Sequence, residues 1–335
     1  MLPSKPKRLL KKALVRSSIL PVASRFFPAT AAILAYHSIV EEPQLTDHIL
    51  GVSLGRTEFE RHMETLARKF NPIAIEDVAQ FAKSGRKLPP RAVAITFDDG
   101  FADNYDVALP ILNRYGIPAS FYIMVEAVEN GTLPWYCRLR YAFNVANVPG
   151  WKDQRNGRTY RLDVPEERKA AQSLSWDTGA CLTGNTQLAF VRKVEQELEV
   201  EPVKAPHGFM MTWDQVRGLR KAGHTVGGHT LSHPNVAQVT PSEARLEIME
   251  CKKRLEEKMG GPVEHFSYPH PALNPHWSSQ TLEITKEAGF KSAALTTYGP
   301  VRAGDDPHAL KRMYTPPDLE QFTLNLQTVF LRRAG

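Results

Sequence analysis

Two adjacent carboxylates, Asp98 and Asp99, stand at the end of a short apolar run over residues 92–97. Such a run predicts a buried strand, and neighbouring carboxylates disfavour the ionisation of each other. A bound cation or a shared proton would relieve that repulsion, so the pair suits metal binding or acid–base chemistry. On this stretch alone, a strand that leads into an ordinary Asp-Gly turn at Gly100 is an equally weighted interpretation.

Two histidines, His229 and His233, lie four positions apart, immediately before Pro234. At this spacing two imidazoles can lie on one face of a helical turn and bind one metal ion. Gly227 and Gly228 also permit an irregular backbone ahead of them. Histidines with this spacing are more often ordinary surface residues, so their meaning depends on where the fold places them.

Seven apolar stretches predict the strands that must position these residues, and helical patterns lie between most of them. The predicted strands cover residues 31–37, 92–97, 119–125, 224–229, 264–268, 291–296 and 310–314. Strand, helix and strand succeed one another within about thirty residues, the length of a parallel βαβ unit. This alternation predicts an α/β fold with a parallel sheet, either open or closed into a barrel.

Three residue pairs with capping-box spacing indicate helix starts. They are Thr57 with Glu60, Thr212 with Gln215, and Thr240 with Glu243. The third is followed by a proline at the first helical position, where proline is favoured.

The predicted fold brings the carboxylates and the histidines together. Asp99 and His229 both follow predicted strands, and the carboxyl ends of parallel strands form the face where such folds build active sites. One carboxylate and two imidazoles supply three metal ligands and leave positions open for water and substrate, as in catalytic sites. A regular strand would point Asp98 and Asp99 to opposite faces. Both can serve one site only if the chain bends, which Gly100 permits.

The segment over residues 130–208 interrupts the alternation, and we interpret it as an insertion in a single catalytic domain spanning residues 31–335. Helices are expected within it at residues 165–174 and 188–198. Its aromatic and basic residues could form a wall over the site, suited to sugar stacking or to a phosphate-bearing carrier. They could also form a small core that folds the insertion onto the scaffold, which is the preferred interpretation. These residues are Trp135, Tyr136, Arg138 and Arg140.

Residues 1–30 are predicted to form a basic amphipathic leader. Of the formal net charge of +6, residues 1–25 contribute seven positive charges and no negative one, which leaves −1 for the rest of the chain. Arg16 interrupts the charge-free core that a secretory signal needs, and no apolar run approaches the roughly twenty residues of a transmembrane helix. We expect a cytoplasmic protein whose leader either contacts the anionic inner face of the membrane peripherally or is a solvated helical arm.

The isoelectric point of about 9.1 suggests nucleic acid as a partner. The nearly neutral body argues against that class, because nonspecific nucleic-acid binding depends on basic residues that neutralise phosphates. The three cysteines are far apart and form no metal-ligand pattern.

The stretches at residues 96–100 and 229–234 resemble the first two motifs of the polysaccharide deacetylase family, also called the NodB-homology domain or carbohydrate esterase family 4. Further stretches fit the same family in the same order, and the resemblance extends over residues 33–314 without the insertion. These stretches are Tyr36-His37, residues 116–121 and residues 266–269.

The resemblance implies a distorted (β/α)7 barrel and metal-dependent hydrolysis of an N-acetyl group, usually on an amino sugar. By position in the motifs, Asp99, His229 and His233 would bind the divalent metal, with Zn²⁺ the preferred ion. Asp98 would be the general base, and a backbone N–H at His270 would stabilise the oxyanion.

Some residues depart from the family pattern. Many relatives have an arginine at the place of Ser267 that orients the base, so Arg312 is the candidate substitute. The late histidine that commonly acts as general acid has no clear counterpart, and His308 is expected to be a surface loop residue. His37 could protonate the leaving amine or could be a packed core histidine, and the two interpretations are equally weighted. Pro271 indicates an altered pocket wall.

We therefore expect a deacetylase that acts on an N-acetylated amino sugar in a glycan or its lipid-linked precursor. The alternative is a non-catalytic carbohydrate-binding protein that keeps the barrel.

Overall fold

The structure is a computed structural model, and it describes residues 29–41, 49–51, 53–203, 205–206 and 208–331. The predicted leader lies outside the described residues except for its last two positions. The strands of the main sheet are β1 Thr30–Tyr36, β2 Ala92–Phe97, β3 Ala119–Ile123, β4 Thr225–Gly228, β5 His265–Ser267, β6 Ser292–Tyr298 and β7 Leu310–Tyr314.

These seven strands form a closed parallel barrel, which confirms the predicted fold class. Each strand pairs in parallel with the next in chain order. The last strand, β7, pairs in parallel with β1, which closes the barrel. The barrel is distorted, because β4 and β5 share a single residue pair and the register between β6 and β7 shifts. Shorter strand segments are Ser38–Val40, Ser53–Gly55, Asn71–Pro72, Gly150–Lys152, Thr159–Arg161 and Val301–Arg302.

Helices cover the outside of the barrel and build the insertion. They are α1 Arg56–Lys69, α2 Ile75–Ser84, α3 Leu109–Tyr115, α4 Val125–Asn130, α5 Trp135–Val145, α6 Pro165–Ala180, α7 Gly184–Glu197, α8 Trp213–Lys221, α9 Pro241–Met259, α10 Ser279–Glu287 and α11 Leu319–Val329. A π-helical turn at Asn104–Ala108 leads into α3, and a 3-10 turn at Pro307–Ala309 precedes β7. Within the described residues, no helix is both long and apolar enough to cross a bilayer.

Strands β1 and β2 are largely apolar, and every one of their residues is buried. Strands of a parallel barrel are covered on both faces, so their sequences do not alternate. Aromatic rings fill the space between the strands and α1: the ring centroids of Tyr36 and Phe97 are 5.5 Å apart, and those of Phe97 and Phe121 are 4.8 Å apart.

Two of the three predicted capping boxes are present. Thr212 and Thr240 each accept a hydrogen bond from the backbone N–H three residues later and receive the reciprocal side-chain bond. The prediction at Thr57 was wrong, because the N-cap of α1 is Gly55, two residues earlier, and no side chain caps the helix. Thr57 is therefore already inside the first helical turn.

The insertion has a hydrophobic core of its own, built from α5, α6, α7 and a small antiparallel hairpin. Both helices expected there are confirmed, as α6 and α7, and both begin earlier or extend further than predicted. Gly179 lets α6 approach α5 closely, because a Cβ at that position would lie 2.5 Å from a ring carbon of Trp135. The insertion is thus a compact helical unit folded against the barrel.

Candidate active site

Asp99, His229 and His233 meet at the carboxyl end of the barrel strands. Asp99 Oδ1 lies 3.4 Å from His229 Nε2 and 3.3 Å from His233 Nε2. One candidate ligand atom from each residue lies within 4.8 Å of the others, and all three residues are buried. The backbone bends where the sequence required it, since Asp99 and Gly100 have φ values of 77° and 90°.

The two histidines do not lie on a helical turn, so that expectation was wrong. The loop after β4 is irregular, with φ values of 65° at Thr230 and 63° at His233. The Thr230 hydroxyl donates to the carbonyl of His229 at 2.6 Å and accepts from the N–H of His233 at 3.0 Å. The Thr230 hydroxyl therefore holds this loop in a fixed conformation, although the loop is not helical.

The Asp99 and histidine cluster fits a divalent metal. Asp99 Oδ1 is buried and has no hydrogen-bond partner among the described residues. His229 Nδ1 donates to the carbonyl oxygen of Ser267 at 2.8 Å, which leaves Nε2 to act as a ligand. One oxygen and two nitrogen donors suit Zn²⁺ and several other divalent ions.

Glu247 supports the histidine loop from α9, and sequence reasoning missed it. Its carboxylate accepts from the N–H groups of Leu231 at 2.8 Å and Ser232 at 2.9 Å, and from the Ser232 hydroxyl at 2.6 Å. Burial raises the pKa of Glu247 to about 7. The detectable signal was a carboxylate on the buried face of a helix that also carries Ile248 and Cys251.

Asp98 pairs with Arg312 rather than with Asp99, His229 and His233. The two guanidinium nitrogens of Arg312 lie 2.8 Å from the two oxygens of Asp98, and its Nε donates to the carbonyl of Leu295 at 2.8 Å. Burial alone would raise the pKa of Asp98, but the charge and hydrogen bonds of Arg312, together with the nearby His229 and His37, outweigh it and hold this pKa below its ordinary value. Ser267, the position at which the resemblance implied an arginine, reaches Asp98 only at 3.5 Å.

The other predicted residues lie around the same cavity, which has a volume of about 300 Å³. His37 is partly exposed, and its carbonyl accepts from the Asn104 side chain at 2.7 Å. The His270 ring is exposed and lies against the ring of His276. Pro271 is part of the wall, as expected. All seven predicted site residues line this cavity: His37, Asp98, Asp99, His229, His233, His270 and Arg312.

His308 is not among them. It lies in the 3-10 turn before β7, at the amino end of that strand, and its Nε2 lies 2.8 Å from the carbonyl oxygen of Phe290. His308 was expected to be a surface loop residue, but its side chain is largely buried, with 12% exposed. His308 therefore packs at the amino end of β7, whereas Asp99, His229 and His233 meet at the carboxyl end of the strands.

The aromatic and basic residues of α5 divide between the two roles that the sequence left open. Trp135 and Arg138 serve the core and its attachment, because Trp135 is buried and Arg138 forms an ion pair with Glu195. Tyr136 and Arg140, one helical turn apart, line the cavity. Trp176 of α6 also lines it, and no pattern in the sequence indicated that.

A family model described as polysaccharide deacetylase matches residues 85–293. The match covers more than half of the chain and contains both the carboxylate pair and the histidine pair. The chain belongs to the polysaccharide deacetylase family. Its members are hydrolases of carbon–nitrogen bonds other than peptide bonds, and this protein is one of them.

Similar proteins agree with this membership. The Bacillus subtilis (strain 168) protein YxkH, named as a polysaccharide deacetylase, is 20% identical over 293 residues, which are 87% of this chain and 74% of YxkH. The chitooligosaccharide deacetylase of Azorhizobium caulinodans is 36% identical over 70 residues, 21% of this chain and 31% of that protein. The structure of the Streptococcus pyogenes deacetylase PplD in complex with acetate has a TM-score of 0.60 at 19% identity, and the match covers 90% of this chain and 99% of PplD. The likeness to PplD shows a shared fold.

Proposed function

We propose that this polysaccharide deacetylase removes the N-acetyl group from an amino sugar in a glycan or a lipid-linked glycan precursor. We further propose that the reaction depends on a divalent metal, preferably Zn²⁺. The observation that carries the proposal is the separation of two adjacent carboxylates: Asp98 pairs with Arg312, whereas Asp99 faces the two histidines. The name of the Azorhizobium relative supports an amino-sugar substrate.

Asp99, His229 and His233 are the residues that would hold the metal. A divalent cation bound there would polarise the acetyl carbonyl and lower the pKa of a water molecule. Asp98 takes the proton of the attacking water, and its pairing with Arg312 both fixes its position and keeps it ionised.

The remaining steps need a donor to the oxyanion and an acid for the leaving amine. The backbone N–H of His270 is proposed to stabilise the oxyanion, because His270 lines the cavity on the loop after β5. His37 is proposed to protonate the amine as the carbon–nitrogen bond breaks, since it is partly exposed within the same cavity. The products are acetate and the free amino sugar.

Acetate release from N-acetylated oligosaccharides tests the proposal directly. The purified protein, loaded with Zn²⁺, should release acetate, and Asp98→Asn should lower kcat by about 10²–10⁴-fold, the usual contribution of a general base. The variant should still bind Zn²⁺, because Asp98 faces Arg312 rather than the histidines. Bound metal without acetate release, from soluble and lipid-linked substrates alike, would favour the non-catalytic carbohydrate-binding alternative.

A cytoplasmic location with the leader at the inner membrane face is also a proposal. It is supported by seven positive charges and no negative one within residues 1–25.

A further inference from the structure

Two hydrogen-bond donors of the insertion are buried in the cavity wall without a partner. The Tyr136 hydroxyl and the Trp176 indole N–H make no hydrogen bond within the described part of the chain, and both rings line the cavity. Buried polar groups in folded proteins are nearly always paired, because an unpaired group loses its bonds to water without replacement. Two unpaired donors in one wall therefore indicate the place of a polar ligand.

The Tyr136 hydroxyl belongs to the end of the cavity that holds the metal ligands. Its ring centroid lies 4.9 Å from that of His233. The Asp99 carboxylate lies near enough to interact with this hydroxyl. Its O–H can donate a hydrogen bond to a ligand oxygen at this end of the cavity, and the bond is stronger when that oxygen carries negative charge.

Helix α5 is anchored on both sides, so the hydroxyl of Tyr136 is held in position. On the barrel side, the indole Nε1 of Trp135 donates to the carbonyl of His233 at 3.1 Å. On the insertion side, Arg138 pairs with the buried Glu195 at 2.5 Å. Groups that are already positioned before substrate arrives lose little entropy on binding it.

We propose that Tyr136 is a catalytic residue whose hydroxyl donates a hydrogen bond to the acetyl oxygen of the substrate as that oxygen gains negative charge. Trp176, beside it in the wall, binds the amino-sugar ring and donates its indole N–H to a sugar oxygen. This inference rests on the proposed function. The phenol keeps its proton throughout, so the hydrolysis balances as before: water supplies the oxygen of acetate and the proton of the amine.

The two residues are expected to act on different kinetic constants. A donor that meets charge present only in the transition state lowers the activation free energy without tightening ground-state binding. A donor that meets a sugar oxygen acts on the bound substrate and the transition state equally, and its loss raises KM. The insertion would then supply one catalytic group and one substrate-binding group to the barrel.

The rival explanation is packing, because the Tyr136 ring also contacts Trp135, with centroids 5.8 Å apart. Tyr136→Phe separates the two explanations, since it keeps the ring and removes only the hydroxyl. We expect kcat to fall about a hundredfold, with KM changed by less than about twofold. Tyr141→Phe, on the same helix but outside the cavity wall, is the matched control and should behave as the wild type.

Trp176→Phe tests the second residue. It keeps an aromatic ring and removes the indole N–H, so we expect KM to rise about tenfold, the equivalent of one hydrogen bond, with little change in kcat. Zn²⁺ affinity of each variant is measured by calorimetry and should match the wild type.

Three results would overturn the inference, and they are distinguishable. A wild-type kcat in Tyr136→Phe would show that the hydroxyl takes no part in the reaction. A loss of Zn²⁺ affinity in parallel with kcat would show that Tyr136 only supports His233. If the wild type releases no acetate from any N-acetylated substrate, the proposed function itself fails and the inference falls with it.

Discussion

The carboxylate of Asp98 and the guanidinium of Arg312 form a two-pronged ion pair across 214 residues of sequence, with both nitrogen–oxygen distances at 2.8 Å. Both side chains are almost fully buried. Burying two charges is costly unless geometry and hydrogen bonding are good. Arg312 meets that condition through its additional bonds to the carbonyl of Leu295 and the hydroxyl of Thr96.

We predict that Arg312→Lys lowers kcat about 10- to 100-fold, because an ammonium cannot hold both oxygens of Asp98 at once. The variant should also shift the acid limb of the pH profile. Arg312 lowers the pKa of Asp98, and the base works only when ionised, so a weaker partner moves the loss of activity to higher pH. The measurement is kcat/KM against pH.

Lys311→Ala, on the same strand but outside the cavity wall, is the control for Arg312→Lys and should leave the profile unchanged. An Arg312→Lys enzyme with the wild-type acid limb would contradict the role given to the pair.

Removing one metal ligand should abolish stoichiometric metal binding. For His233→Ala we expect Zn²⁺ affinity to fall by more than about a hundredfold, since loss of an outer-shell partner alone costs 10- to 100-fold. A chelator should inactivate the wild type, and added Zn²⁺ should restore it. Elemental analysis and calorimetry measure the bound ion, and an unchanged metal content in His233→Ala would contradict the proposed ligand set.

Glu247→Ala should weaken metal binding without touching a ligand. The variant loses the acceptor for two backbone N–H groups between the histidines, so the loop is no longer held in its ligating form. We expect a 10- to about 100-fold loss of Zn²⁺ affinity. Glu257→Gln, at an exposed position of the same helix, is the comparison and should bind Zn²⁺ as the wild type does.

Asp103 should make the protein less stable as the pH rises from about 4 to 6. Burial raises the pKa of Asp103 to about 6, against bonds from Ser38 and Asn104 that lower it. In this pH window the folded protein therefore holds a proton that the unfolded chain has released. The protonated carboxyl stabilises the folded protein fully at pH values below the pKa that Asp103 has in the unfolded chain. This stabilisation, at most about 3 kcal/mol, is lost as the pH rises through the pKa of Asp103 in the folded protein.

Urea unfolding at several pH values checks this, because Asp103→Asn should make the decline smaller and leave only the part contributed by other buried carboxyls such as Glu247. Asp214→Asn, at a carboxylate whose side chain is 91% exposed, should retain the full decline. A decline of the wild-type size in Asp103→Asn would show that it comes from other groups.

Deleting residues 1–25 should abolish binding to anionic vesicles, because those residues carry the whole excess of positive charge. Vesicle sedimentation at low and high salt measures it, with neutral vesicles as the reference. The deletion should leave acetate release from soluble substrates unchanged. Salt-sensitive binding that survives the deletion, to vesicles or to nucleic acid, would contradict the charge assignment.

Strands β1, β2 and β3 were predictable because every one of their residues is buried, so each appears as a largely apolar run bounded by turns. Capping was predictable at Thr212 and Thr240, where the side chain lies outside the helix. It failed at Thr57, because Gly55 ends the preceding strand segment and the helix starts directly after it. Local spacing identifies a candidate cap, whereas the neighbouring strand decides which residue occupies that position.

The orientation of the side chains in the insertion could not be predicted from the sequence. Whether Tyr136 and Arg140 face the cavity or the core depends on the rotation of α5 about its axis, and that rotation is set by contacts with Glu195 and His233 far along the chain. The loop from His229 to His233 likewise depends on Thr230 and on Glu247 of a later helix. Long-range partners of this kind leave no periodic pattern in the sequence.

Strand β7, which carries Arg312, affects the order in which the parts of the candidate site come together during folding. It is the last strand of the barrel, and it pairs with both β6 and β1. The candidate metal ligands all lie in earlier parts of the chain, so a partly assembled barrel could gather them while Asp98 still lacked its counter-charge. Pairing of β7 with β1 closes the barrel and places Arg312 beside Asp98 in the same step. We therefore expect the proposed base to acquire its partner only when the barrel is complete.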